Sequence, residues 1–317
     1  MIFDPGSPLE AIRRQFPRAR VDFDDGSSPA RAAKAAADAD AVVLFAEQWM
    51  TETADANNLE LPREQDRLVD AVTRANPRTA VVLETGGPVL MPWLDRTAAV
   101  LEAWYPGQMG GEAIAEILSG AVNPSGRLPV TFPVSEAQLP HPKIQGDPRG
   151  APIGPVGRGG RYGAIFSAEY DEGAAVGYKW FFERAQRPLF PFGFGLSYTT
   201  FALSDLAANV SGHAVTASVT LRNSGERAGA ATPEFYLSGP KGANIPLRLV
   251  GWDRMDLKPG ENRQAIVSID PRLLATFDEA ARKWRIEPGA YQLMAGFDSE
   301  RRDLAASFEL QSMSLPP

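Results

Sequence analysis

The chain contains no cysteine in its 317 residues, which excludes disulfide staples and thiol nucleophiles alike. The compartment stays open, since lacking disulfides is compatible with either side of a membrane. Histidine is almost as scarce. His141 and His213 stand far apart in unlike contexts, which argues against a histidine-rich metal centre or a relay built on several histidines. Basic charge is in deficit, with a net charge of -7, and a nucleic-acid partner would need a basic face. No apolar run approaches the roughly 18 residues of a membrane span, and no membrane partner is expected. The opening MIFDPGSPLEAIRRQ lacks the basic-then-apolar order of a signal peptide. No Gly-x-Gly-x-x-Gly or Gly-Lys-Ser/Thr loop is present, and Gly86-Gly87 resembles a phosphate loop only superficially. No cofactor is called for.

What is present falls into two halves of different rhythm. Pro8 to Phe16 has the spacing of a short amphipathic helix with Leu9, Ile12 and Phe16 inward. Val21 to Phe23 is expected to be a strand. Ser28 is placed to cap an alanine-rich helix through Ala39, with Pro29 at its first position. Ala41 to Ala46 is a continuous apolar run of the kind found in strands covered on both faces. A helix over Pro62 to Ala75 follows, with Leu68, Val69 and Val72 on one side. Strands are expected at Thr79 to Leu83 and Val100 to Ala103, then a helix from Gly110 to Leu118 stopped by Gly120. Strands alternating with helices in this way predict a parallel sheet covered on both faces. Such a domain ordinarily opens on a strand, whereas this chain opens on a turn, so its first strand is expected to be missing.

Residues from Gly126 to about Phe201 are rich in loops, with a glycine- and proline-rich excursion over Gly146 to Gly163. Val176 to Phe182, VGYKWFF, has strong β-character. Trp180, Phe190, Phe192 and Phe194 are expected to pack the seam between domains. Beyond Phe201 the pattern becomes alternating. Val215 to Leu221, Glu234 to Leu237, Leu247 to Asp253, Gln264 to Ile269, Lys283 to Ile286, Tyr291 to Phe297 and Leu304 to Leu310 read as short strands between turn signals. About seven strands in roughly 110 residues suit an immunoglobulin-like β-sandwich.

The stretch on which the first half turns is AVVLFAEQWMTETADANNLELP, from Ala41 to Pro62. A strand leaves there through an acidic, aromatic loop, and loops at the carboxyl ends of parallel strands are where α/β proteins place their chemistry. This run resembles glycoside hydrolase family 3, as do AVLEAWYPGQMGGEAIAEILSGAVNPSGRLPVTFP, PLFPFGFGLSYTTF and the tail VGWDRMDLKPGENRQ onward. The likeness extends from about Pro8 to Leu310. It implies three parts: a family 3 C-terminal α/β domain over 1–145, a loop-rich connection packed on it over 146–200, and a fibronectin type III-like domain over 201–312. Family members also carry an N-terminal (β/α)8 barrel, which this sequence lacks. The chain is therefore expected to be the C-terminal part of an exo-acting β-glucosidase-like enzyme, whether a proteolytic fragment, one chain of a split enzyme or a truncated product.

Retaining glycosidases set two carboxyl groups about 5 Å apart, one a nucleophile and the other an acid/base. The resemblance puts the nucleophile, an aspartate, on the barrel and the acid/base on a loop reading Glu-x-x-Asp before a Leu-Pro. Here these are Glu52, Asp55 and Leu61-Pro62, so Glu52 is the implied proton donor. Glu47, immediately after the strand, is its rival, and otherwise orients the loop or binds a sugar hydroxyl. Asp55 either supports the loop through backbone N–H groups or is a simple turn residue. Trp49 either offers a sugar platform or packs beneath its own loop. Asn57 and Asn58 fit loop caps better than sugar contacts, and Trp104 and Tyr105 fit packing positions. Arg158, Arg161 and Tyr162 are weaker candidates to reach a cleft. The expected substrate is an oligosaccharide or β-glucoside and the expected partner the barrel. A β-xyloside or N-acetyl-β-glucosaminide specificity, or a non-catalytic carbohydrate-binding or scaffold role, remains the alternative.

Overall fold

Two serines begin the helical part of the chain in the same way. Ser7 and Ser28 each accept, through the side-chain oxygen, the backbone N–H three residues on, and each is followed by a proline at the first helical position. The helices so started are α1 (Pro8–Gln15) and α2 (Pro29–Ala37). The computed structural model describes residues 6–50, 58–142, 170–212, 214–240, 243, 245 and 247–316. The chain divides into two compact units, one of residues 1–122 and 132–171, the other of residues 123–131 and 172–317.

In the first unit, β1 (Val42–Glu47), α3 (Gln65–Ala75), β2 (Thr79–Glu84), β3 (Ala99–Glu102) and α4 (Gly110–Ser119) follow α1 and α2. The three strands are parallel in the order β1-β2-β3. The middle strand carries the core, with Val81, Val82 and Leu83 fully buried. β1 is equally apolar but lies at an edge, and Val43 is exposed. Helix α2 packs on α3, where the Asn76 amide donates to the carbonyls of Ala36 and Ala39 at 2.9 and 2.8 Å. Helix α1 packs on α4. There a side chain on Gly111 would lie 3.0 Å from the Ser7 and Pro8 backbone, so the glycine admits the close approach. Gly120 ends α4 at φ 75°.

Three expectations change. Val21 to Phe23 forms no strand, and Phe23 is exposed; three residues without a neighbouring strand have no ladder to join. The helix expected from Pro62 begins as a 3-10 turn, with Arg63 and Glu64 left-handed at φ 57°, and α3 proper starts at Gln65. Val176 to Phe182 is not β. In the second unit Tyr178–Glu183 is helix α5, begun at Gly177 with φ 56°. Its aromatic content suits a pleated surface only where such a surface is at hand. Instead Phe181 is buried, Tyr178 meets the Phe192 and Tyr236 rings at 5.2 and 5.8 Å, and Arg184 covers Trp180.

The rest of the second unit is antiparallel. Its strands are β4 (Phe201–Ser211), β5 (Ala214–Asn223), β6 (Gly229–Ala231), β7 (Glu234–Ser238), β8 (Arg248–Trp252), β9 (Met255–Leu257), β10 (Asn262–Ile269), β11 (Thr276–Asp278), β12 (Lys283–Ile286), β13 (Gly289–Gly296), β14 (Leu304–Leu310) and β15 (Met313–Leu315). The two larger sheets run β10-β5-β4 and β14-β13-β7-β8. Val215, Ala217, Val219 and Leu221 on β5, and Tyr291, Leu293 and Ala295 on β13, enter one core at every second position. The seven expected strands are all present. The additional ones are mostly three-residue pairings, too brief to show alternation. An α/β unit with a parallel sheet and an all-β sandwich is thus the architecture.

Candidate active site

Each of the three parallel strands ends on or next to a glutamate: Glu47, Glu84 and Glu102. Glu47 and Glu84 are in register, whereas Glu102 pairs one step earlier with Leu83. Since side chains alternate along a strand, Glu47 and Glu84 share one face and Glu102 takes the other. Burial raises the Glu84 pKa above the usual carboxylate range, and the nearby Glu47 charge adds to the rise. Glu102 is lifted further, to about 7, by burial, against the opposing pull of its bonds from the Trp104 N–H and Thr85. Those bonds measure 3.0 Å from Trp104 and 3.3 Å from the Thr85 hydroxyl. Trp104 follows at φ 54°, an uncommon value for so large a residue.

Glu47 is exposed and forms an ion pair with Arg63. The left-handed turn at Arg63 and Glu64 is the bend from which Arg63 reaches Glu47. Gln65 then grips the strand end from both sides. Its oxygen accepts the Glu47 N–H at 2.9 Å, and its amide donates to the Glu47 carbonyl at 2.7 Å.

The chain leaves β1 on fixed footing. Gln48 N–H donates to the Glu84 carbonyl at 3.1 Å. The Tyr105 hydroxyl donates to the Gln48 carbonyl at 2.6 Å and accepts the Met50 N–H at 2.9 Å. Trp49 is 84% exposed. Glu52, Asp55 and Asn57 lie outside the described residues, as do Arg158, Arg161 and Tyr162. The chain resumes at Asn58, whose side chain accepts the Glu60 N–H at 3.2 Å in a local turn. Leu59 bonds to the Glu136 carboxylate at 2.7 Å through its N–H, and to Leu90 at 2.8 Å through its carbonyl. Leu61 is buried. Both feet of the loop are therefore anchored.

Of the residues singled out from sequence, Glu47 and Trp49 stand together at the first foot. Reasoning from sequence passed over Glu84, Glu102, Gln65 and the hydroxyl of Tyr105. A signal existed for the two acids, since each closes an apolar run, TAVVLE and AVLE. None existed for Gln65 or Tyr105, which act across 18 and 55 to 57 positions of chain. His141 lies 3.6 Å from the Asp171 carboxylate.

Residues 3–198 match the glycosyl hydrolase family 3 C-terminal domain, and residues 231–299 match a fibronectin type III-like domain. A β-glucosidase B of Emericella nidulans is 42% identical over 272 residues, which cover 83% of this chain and 31% of that protein. A β-glucosidase of Rhizobium radiobacter is 41% identical over 254 residues, 78% of this chain and 29% of that one. Among solved structures, a β-glucosidase from Streptomyces venezuelae in complex with D-glucose is 39% identical with a TM-score of 0.78, covering 89% of this chain and 35% of its own. A β-D-glucoside glucohydrolase from Trichoderma reesei reaches a TM-score of 0.86 at 25% identity, covering 96% of this chain and 45% of its own. The chain spans about a third of the length of the curated relatives it matches.

Proposed function

From the premise that this chain belongs to glycoside hydrolase family 3, we propose that it is the C-terminal portion of an exo-acting retaining β-glycosidase of β-glucosidase type. It supplies the general acid/base, Glu52, to a site completed by an N-terminal barrel that carries the nucleophile. Residues 1–145 serve as the family's α/β domain, 146–200 as the connection and 201–312 as the fibronectin type III-like domain.

The observation that carries this reading is the family match over 3–198, joined to β-glucosidase relatives of which this chain spans about a third. The anchored loop supports it. A proton donor must be held at a fixed height above the scissile oxygen, and a loop pinned at Gln48, Met50 and Leu59 is suited to that task. Glu47 is committed to Arg63 and fits a role in loop orientation or hydroxyl binding better than proton donation. The exposed face of Trp49 suits the apolar C–H side of a pyranose.

Chemically, Glu52 protonates the leaving oxygen as the barrel's aspartate attacks the anomeric carbon. It then takes a proton from the water that releases the glycosyl-enzyme. The chain alone holds one carboxylate of the two and is expected to be inert. The test is hydrolysis of an aryl β-glucoside by the pure chain, and again after adding the barrel. Activity only with the barrel is the expected result, and turnover by the pure chain overturns the proposal.

A further inference from the structure

Tyr105 is half-exposed, so its place is not explained by burial of the ring. Its hydroxyl, by contrast, is fully engaged. It donates to the Gln48 carbonyl and accepts the Met50 N–H, bracketing Trp49. Two further features are built around that hydroxyl. Gly86, just after β2, has no side chain, and a Cβ there would lie 2.8 Å from both the Tyr105 oxygen and the Met50 sulfur. The turn that delivers Tyr105 is held from beneath by Glu102, which accepts the N–H of left-handed Trp104 and the Thr85 hydroxyl. The ends of all three strands thus converge on one phenolic oxygen.

We propose that Tyr105 is a positioning residue of the glycosidase reaction. Its hydroxyl fixes the main chain at Gln48 and Met50, two residues before Glu52 in the sequence. The inference rests on the proposed acid/base role of that loop. A tether of this kind acts through Glu52, on the proton it gives the leaving oxygen and again on the water that releases the glycosyl-enzyme. Its loss therefore slows the reaction most where the leaving group needs a proton most.

The experiment has two arms. In the full 317-residue chain, amide hydrogen exchange at Met50 is compared between wild type, Tyr105→Phe and Gly86→Ala. Losing one hydrogen bond predicts exchange roughly 5- to 10-fold faster in Tyr105→Phe. Gly86→Ala, which displaces the same hydroxyl without altering it, moves the amide in the same direction. In the barrel-completed enzyme, Tyr105→Phe is expected to lower kcat on an alkyl β-glucoside about 10-fold, with KM within about twofold. On a dinitrophenyl β-glucoside it leaves kcat/KM nearly unchanged, because forming the glycosyl-enzyme there needs no proton. Unaltered Met50 exchange in both variants overturns the tether. Faster exchange with kcat equal to wild type on both substrates overturns its part in positioning. The exchange arm judges the tether whatever Glu52→Ala does, so failure of the acid/base assignment is read separately, from that variant.

Discussion

Glu102 in the α/β unit and Glu234 in the sandwich are both raised to about 7, and in both burial is the main cause. Their surroundings differ. Glu102 stands part-buried at the carboxyl end of β3, beneath a turn whose next residue, Tyr105, is half-exposed. Glu234 opens β7 and is sealed, 5% exposed, with the Tyr236 hydroxyl donating to it and Gly193 pressed against it at φ 85°. A Cβ on Gly193 would lie 2.4 Å from the carboxylate. The charges acting on Glu234 are Asp298, which raises its pKa, and Arg127, which lowers it. A carboxyl group near neutrality is thus a product of burial in either place. Only one of the two lies beneath a turn that reaches solvent, and a perturbed pKa becomes a functional clue only with such access.

The sharpest way to separate the two regions is to remove a carboxylate from each. Glu52→Ala in the barrel-completed enzyme is expected to cost about 10²- to 10⁴-fold in kcat/KM on poorly activated glucosides and far less on dinitrophenyl glucosides. Azide, a nucleophile that attacks the glycosyl-enzyme without needing a base, should restore part of the turnover on the activated substrate. A loss equal for all leaving groups would transfer the acid/base role to Glu47.

Glu234→Gln should leave turnover per folded molecule untouched and act on stability. A carboxyl raised in the folded state contributes fully below its unfolded pKa and loses that contribution as pH rises through the folded one. For Glu234 the window runs from 4.5 to about 7. A difference of that size corresponds to roughly 3 kcal/mol. Urea midpoints of wild type should fall across this window more steeply than those of Glu234→Gln, with Glu102 keeping its own share of the slope in both. Parallel curves would break the comparison.

The smallest effect is expected from Glu47→Gln. Its charge is the lesser cause of the raised Glu84 pKa, so carboxyl titration by NMR should show Glu84 moving down modestly. An unmoved Glu84 would mean that burial alone sets it.

Much of the site's frame was legible in sequence because it is written locally. Ser7-Pro8 and Ser28-Pro29 state where two helices begin, Gly120 where one ends, and apolar runs closed by acids where the parallel strands stop. Where local preference and long-range packing disagreed, packing prevailed. VGYKWFF has strand composition but, among the described residues, no strand pairs with it, so it packs its rings as a helix. The left-handed pair Arg63 and Glu64 has no glycine to announce it.

By itself, the sequence determined the two kinds of layer, the strand that ends at Glu47 and the acidic loop that follows, since each follows from periodicity and turn chemistry within a few residues. Only the tertiary structure decided that Glu84 lies beside that strand end and Glu102 one strand beyond it, that Gln65 grips it, and that Tyr105 holds the loop's first foot. Those relations join residues 17 to 57 positions apart through register and hydrogen-bond geometry. The free energy of such pairings depends on which surfaces the fold has already brought together, and no local stretch of chain encodes that.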